Sequence, residues 1–182
     1  ALGTNVLYYS AMKNAASIAE RFNRDEEALL WNSRAESLRN AIIRHFWISE
    51  KKYFGAYLIS NIDTVLYQGY ETLGESLAVL YDVADNCDFL SIINAVKPGK
   101  LGMSVVAPQL SAVPSYHNDA VWPFVQGFRG LAAKKAGDPA VCEDEFAAML
   151  YCAAMFRSFK ENYVASKCTE DTQTNSDRQL WS

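Results

Sequence analysis

The chain has 182 residues, a length that fits one ordinary globular domain with a substantial buried core. Half of its residues (50%) are hydrophobic and 13% are aromatic, which excludes an intrinsically disordered chain. The net charge is −4 and no block of Lys and Arg is present, which argues against a nucleic-acid partner. No apolar run reaches the roughly 20 residues that span a bilayer, so we expect no membrane association either.

Apolar residues recur at helical spacing through most of the chain. The pattern predicts helices over 4–22, 25–45, 71–84, 89–96, 119–136 and 139–156, with another helix opening at 176–181. Asp119 is expected to be the N-cap of the fifth helix. Gly137, Asp138 and Pro139 combine a helix stop, an N-cap and a first-turn proline, so a new helix should begin there.

The periodicity changes between Lys52 and Tyr70, where aromatic and β-branched residues alternate with turn-forming ones. This pattern indicates a small β-hairpin-like insertion at 53–67. The four cysteines show neither metal-ligand spacing nor a dense disulfide pattern, so we expect reduced thiols and no metal site. His45 and His117 are the only histidines of the sequence, which also makes a histidine-based metal site improbable.

Long loops and tight turns alternate between the predicted helices. Helices that follow long loops begin near residues 4, 71, 119 and 176, a spacing above that of the usual short solenoid repeats. This order predicts an all-α array of hairpins with the long loops gathered on one face. A site built from such loops is expected on that face.

A dense cluster of hydrogen-bonding and aromatic side chains marks one junction between a long loop and a helix. Its members are Tyr116, His117, Asn118, Asp119 and Trp122. Aromatic faces beside amide, imidazole and carboxylate groups suit a sugar, which offers apolar C–H faces and hydroxyls together. The alternative to a sugar site is a purely structural cluster that caps the helix and packs against it, with Trp122 buried.

Four segments together resemble the catalytic domain of the six-hairpin, (α/α)6-toroid glycosidases, the group of processing α-glucosidases and glycogen-debranching glucosidases. They are Thr4–Tyr9 followed by Phe46-Trp47, Tyr67–Gly74, Tyr116–Pro123, and Lys160–Tyr163 followed by Arg178–Trp181. Together they span nearly the whole chain in the family's order. The resemblance implies a partial toroid that corresponds to the C-terminal part of that domain.

The resemblance also implies a function. In such enzymes one carboxyl protonates the leaving oxygen and another activates water on the opposite face of the sugar, which inverts the anomeric centre. It places the water-activating base at Glu161 and the general acid before Thr4, outside this chain. Sugar-binding roles fall by the same resemblance on Tyr116, His117, Asn118 and Trp122, with Glu71 and Arg178 as polar neighbours. The loop after Glu161 departs from the family pattern, and Glu170 with Asp171 offers an alternative acidic pair there.

The start at Ala1 and the end within an apolar pattern indicate that residues 1–182 form one partial domain excerpted from a longer chain. Half a ring would leave helix faces uncovered, so we expect a homo-oligomer or dependence on a missing N-terminal half. The expected activity is inverting hydrolysis of α-glucosides or α-mannosides of oligosaccharides, without a cofactor. A non-catalytic carbohydrate-binding or scaffolding module is the alternative, and a protein-interaction solenoid is a weaker third hypothesis.

Overall fold

The computed structural model describes residues 1–60, 65–111 and 113–170 of the chain. Six α-helices lie within these ranges: α1 Leu2–Arg21, α2 Asp25–Phe46, α3 Thr72–Leu80, α4 Phe89–Asn94, α5 Pro123–Ala136 and α6 Pro139–Phe156. The predicted helix at 176–181 lies outside the described residues. Two short 3-10 turns occur at Asn86–Asp88 and Ser115–His117.

The helices form three consecutive antiparallel hairpins arranged in two layers. Helix α1 packs against α3 and α3 against α5, so these three make one layer. Helices α2, α4 and α6 lie behind it as the second member of each hairpin. The main core runs between the layers and is built from residues such as Leu2, Ile42, Tyr70, Ile92 and Ala132, each at most 1% exposed. The predicted all-α hairpin order is therefore confirmed.

Within the described ranges, nine strands of two residues each lie in the segments that connect or follow the helical hairpins. They are β1 Trp47–Ile48, β2 Tyr53–Phe54, β3 Tyr57–Leu58, β4 Leu66–Tyr67, β5 Tyr70–Glu71, β6 Val106–Ala107, β7 Ala120–Val121, β8 Tyr163–Val164 and β9 Thr169–Glu170. β1 pairs with β2 and β3 with β4, which confirms the predicted β-hairpin-like insertion. β5 pairs with β6, and β7, β8 and β9 form a three-stranded sheet.

The turn between α5 and α6 follows the predicted sequence of stop, cap and proline. Gly137 ends α5 with φ +83°, a left-handed conformation that favours glycine. The Asp138 carboxylate accepts a hydrogen bond from Val141 N at 3.3 Å, and Pro139 occupies the first turn of α6. All four cysteines of the chain are free thiols.

The prediction that Asp119 caps α5 is wrong. The helix begins at Pro123, because Ala120 and Val121 are extended and pair with Val164 and Tyr163. The carboxylate of Asp119 accepts hydrogen bonds from the backbone N–H and the hydroxyl of Ser166 instead. Long-range strand pairing thus overrides a favourable local capping signal.

Large apolar side chains remain exposed on the first and last hairpins. On the first hairpin Phe22 is 72% exposed and Leu29 70%, and on α6 Phe146 is 58% exposed. Within the described ranges, no helix combines the length and the apolar character that crossing a bilayer requires.

Candidate functional site

Three aromatic rings meet where the loop before α5 turns into the helix. Tyr116 contacts His117 edge-on at 4.5 Å between ring centroids and Trp122 edge-on at 4.8 Å, while His117 and Trp122 stack at 5.6 Å. The Trp122 indole N–H donates to the Tyr116 carbonyl at 2.9 Å. The 3-10 turn that carries Tyr116 and His117 is thereby held against the start of α5.

Glu161 joins this aromatic cluster from a distant part of the sequence. The Tyr116 hydroxyl donates to Glu161 Oε1 at 2.6 Å, although the two residues lie 45 positions apart. The β7–β8 pairing brings them together, since it aligns Val121 with Tyr163 just beyond Glu161. Glu161 is 4% exposed, and its second oxygen, Oε2, has no hydrogen-bond partner among the described residues. A buried acceptor of this kind normally has a hydrogen-bond partner, for which water or a ligand hydroxyl would be suitable.

A cavity of about 340 Å³ opens beside the aromatic cluster. This volume falls within the roughly 300–1,000 Å³ of typical small-molecule sites. Its walls are mostly apolar, with imidazole, indole and carboxyl groups among them: Glu71, Leu73, Val105, Val106, His117, Trp122, Phe124 and Val125. A ligand with apolar faces and a few polar groups matches such a lining.

Glu71 is the acidic group of this cavity and also the N-cap of α3. Its Oε2 accepts a hydrogen bond from Gly74 N at 2.9 Å. Burial raises the pKa of the Glu71 carboxyl, while the Gly74 N–H acts in the opposite direction. A Cβ at Gly74 would lie 2.4 Å from Glu71 Oε2, so glycine is required there for the carboxyl to keep its position.

Glu75 lies one turn further along α3 and is fully buried. Neither of its carboxyl oxygens has a hydrogen-bond partner among the described residues. Burial raises the pKa of Glu75 well above its usual range. The Phe54 backbone N–H acts in the opposite direction, and the nearby Glu71 carboxyl adds to the rise. The folded protein therefore favours the neutral, protonated form of Glu75.

This burial predicts a pH dependence of stability. Because the pKa of Glu75 is raised in the folded state, its contribution to the free energy of unfolding is fully present below the unfolded-state pKa, about 4.3. That contribution is lost as the pH rises from there toward the folded-state pKa. Relative to the Glu75→Gln variant, wild type should lose up to about 1.4 kcal/mol of unfolding free energy per pH unit in that window. Urea unfolding between pH 4 and pH 8 measures this difference. The exposed control Glu36→Gln should run parallel to wild type, and parallel curves for Glu75→Gln would contradict the assignment.

The side-chain amide of Asn118 is committed to the loop that precedes it. Its Oδ1 accepts from Leu110 N at 2.7 Å, and its Nδ2 donates to the carbonyls of Leu110 and Val113 at 2.9 and 3.3 Å. Asn118 thus holds the loop beside the aromatic cluster. Of the other predicted site residues, Arg178 lies outside the described residues, as does Asp171 of the alternative acidic pair.

The structure therefore brings five of the predicted residues to one place. Tyr116 contacts His117, Trp122 and Glu161, while Glu71 lines the cavity that His117 and Trp122 also line. Among the described residues, no group of three or more His, Cys, Asp or Glu side chains is placed to hold a metal ion.

Comparison with known proteins decides the fold. No protein-family model matches the chain, and no curated protein sequence matches it. Among solved structures, the chain is similar to neutral trehalase Nth1 from Saccharomyces cerevisiae, an (α/α)6-toroid glycoside hydrolase. The TM-score is 0.74 at 12% sequence identity, and the match covers 91% of this chain and 34% of the trehalase. The chain has the α/α-toroid fold in part.

The partial toroid spans about a third of the length of the trehalase. Its cavity also includes residues that the sequence analysis missed, namely Leu73, Val105, Val106, Phe124 and Val125. These side chains are apolar, and nothing in their type separates a cavity wall from a core position. Two of them had a recognisable signal, because Leu73 lies within the resembling segment Tyr67–Gly74 and Phe124 directly follows the segment Tyr116–Pro123.

Proposed function

We propose that this partial toroid belongs to an inverting glycoside hydrolase that acts on α-glucosides or α-mannosides of oligosaccharides. The observation that carries the proposal is the hydrogen bond from Tyr116 to Glu161, which joins a carboxylate to the aromatic cluster beside the cavity. Because this pair links two segments that are distant in sequence, it supports a built site more strongly than either motif does alone.

Each residue has a distinct role in this proposal. Glu161 accepts a proton from the attacking water, and the Tyr116 hydroxyl orients its carboxylate. Trp122 and His117 present ring faces to the C–H face of the sugar. Glu71 offers a carboxyl to a sugar hydroxyl, and Asn118 acts as a positioning residue through the loop that it holds. Arg178 is retained as a polar neighbour of the sugar.

The general acid is proposed to lie outside this chain, across the sugar from Glu161. An inverting pair requires roughly 6.5–9.5 Å between the two carboxyl groups to admit the water. Inversion at an α-glycoside releases a β-configured sugar. The experiment is ¹H NMR during hydrolysis of aryl α-glucosides, aryl α-mannosides and trehalose by the complete polypeptide that carries this chain. With the aryl glycosides, first appearance of the α-anomer would contradict inversion. With trehalose, inversion releases one β-glucose and one α-glucose, and release of two α-glucose molecules would contradict it.

Sugar binding by the chain itself tests the site without requiring the general acid. Trp122→Ala removes the largest ring of the cluster, so it should weaken binding of methyl α-glucoside or methyl α-mannoside at least about tenfold, or 1.4 kcal/mol. Isothermal titration calorimetry measures the affinity. The matched control is Trp31→Ala on α2, away from the cavity, which should bind like wild type. Equal affinities for wild type and Trp122→Ala would remove Trp122 from the site.

The enclosure of Glu161 favours a second candidate function. A carboxyl that is 4% exposed and covered by Tyr116 is poorly placed to exchange water, as a base must. A carbohydrate-binding module without hydrolysis accounts for the same cavity. It predicts sugar binding that depends on Trp122, together with no turnover of any α-glycoside by the complete polypeptide.

A further inference from the structure

The outward face of α6 differs from that of α2, the outer helix of the first hairpin. Helix α2 exposes charged side chains such as Arg34, Glu36 and Arg44. In α6, the ten consecutive residues 146–155 include no charged side chain. Only one side of α6 is buried: Glu145 contacts Arg129 and Gln126 of α5, and Cys152 packs with Leu101, Val121 and Tyr163. A helix that is apolar on all sides is normally covered on all sides.

The exposed residues of α6 follow a heptad spacing. Exposed positions recur four and three residues apart along α6 and at Arg157, the C-cap residue that follows it, and form what we call the α6 seam: Glu143, Ala147, Leu150, Ala154 and Arg157. Phe146 and Tyr151 flank the seam and are 58% and 40% exposed, while Leu150 at its centre is 49% exposed. Alternating spacing of this kind is typical of a helix that packs along another helix.

We propose that the α6 seam pairs with the α6 seam of a second copy of this chain, antiparallel and about a twofold axis at Leu150. In that register Leu150 meets its own counterpart. The small Ala147 and Ala154 allow close approach of the two helices, and Phe146 of one copy packs on Ala154 of the other. Large residues thus oppose small ones, as in well-packed helix pairs.

The charges at the two ends of the seam select this partner and this orientation. Glu143 lies seven residues before Leu150 and Arg157 seven residues after it, so each Glu143 faces the Arg157 of the other copy. Among the described residues neither side chain forms an ion pair within its own chain. They are about 21 Å apart along the helix, too far to pair with each other. A parallel arrangement would instead place like charges together.

Charge reversal tests the pairing. Wild type is expected to sediment as a dimer of twice 20.3 kDa at concentrations of tens of micromolar. Glu143→Arg alone and Arg157→Glu alone should each weaken the dimer about tenfold or more, because each places like charges together at both ends. An equimolar mixture of the two variants restores both ion pairs and should dimerise like wild type. Two variants that stay monomeric when mixed would overturn the pairing, as would a wild-type monomer.

Cysteine crosslinking locates the interface in a Cys87→Ser background. Leu150→Cys should form a disulfide-linked dimer upon mild oxidation, because the two residues meet at the axis. The control is Ile18→Cys on α1, which is 56% exposed and away from the seam. Crosslinking through residue 18 and not through residue 150 would assign the dimer to the first hairpin and overturn the proposal. Both changes are at exposed positions, and circular dichroism checks that the variants fold.

Discussion

Glu161→Gln is expected to lower turnover of α-glycosides by about 10²–10⁴-fold in the complete polypeptide that carries this chain. The amide keeps the shape of the carboxyl and its contact with Tyr116, but it cannot accept a proton from water. Sugar affinity should change little, since binding rests on the aromatic rings and the cavity. Steady-state kinetics with an aryl α-glucoside and an aryl α-mannoside would separate kcat from KM.

Two further variants sharpen this test. Glu50→Gln changes an exposed carboxyl in a turn and should leave kcat unchanged. Glu161→Ala opens space for an azide ion beside the sugar. If Glu161 lies on the side from which water attacks, azide should restore turnover and yield a β-glycosyl azide. Wild-type kcat in Glu161→Gln would remove this carboxyl from the mechanism. If sugar binding is retained in that case, only the catalytic role of Glu161 is contradicted, and the proposed sugar site is not.

Glu145→Gln is expected to destabilise the fold by about 3–5 kcal/mol, because it leaves a buried guanidinium without its counter-ion. Glu145 Oε1 accepts from Arg129 Nη1 at 2.5 Å, and the two side chains are 1% and 2% exposed. Gln126 Nε2 donates to Glu145 Oε2 at 2.9 Å and lies 3.1 Å from the Leu101 carbonyl. This network ties α5 and α6 to the loop that leads toward the cavity.

Thermal unfolding measures the effect, and a loss of this size corresponds to a Tm lower by roughly 10 °C. The neighbouring Asp144 is exposed, so Asp144→Asn should change stability by less than about 0.5 kcal/mol. Replacing Arg129 and Glu145 together by Met removes both charges and should recover much of the loss. Equal Tm values for Glu145→Gln and Asp144→Asn would contradict the buried ion pair.

Apolar periodicity and turn residues were sufficient to predict the hairpin order. The succession Gly137-Asp138-Pro139 marks a helix boundary through backbone preferences alone, which no tertiary contact overrides. The start of α5 was misplaced because Asp119 has the chemistry of a cap, yet strand pairing with residues 163–164 keeps its neighbours extended. That pairing joins segments more than 40 residues apart and leaves no local trace in the sequence.

In helix α6 the spacing of apolar residues does not predict which face is buried. Because nearly every residue from 146 to 155 is apolar, no stripe distinguishes the buried face from the exposed one. The structure buries Glu145 and Cys152 and leaves Phe146 exposed. Glu145 directly follows Glu143 and Asp144, which are acidic as well but exposed. Only tertiary packing therefore identifies which of the three carboxylates pairs with Arg129.

The candidate site also contains features that local sequence predicts and features that depend on tertiary contacts. Tyr116, His117 and Trp122 lie within seven positions of each other, so their clustering was predictable from local sequence. The family resemblance assigned Tyr116 and Glu161 to one sugar site without predicting a contact between them, and the hydrogen bond that joins them is seen only in the structure. The commitment of Asn118 to the backbone of Leu110 and Val113 was not predictable, because an amide in a polar loop has many equivalent partners.

The short ladder between β7 and β8 has a consequence for engineering. Glu161 lies in a bend two residues before β8, so one residue inserted between Glu161 and Tyr163 would displace the carboxyl from its place against Tyr116. Libraries that probe the proposed sugar site should therefore keep the length of this segment constant. Diversity is better introduced at Val106 and Phe124, which reshape the cavity wall while the acid and the aromatic rings keep their spacing.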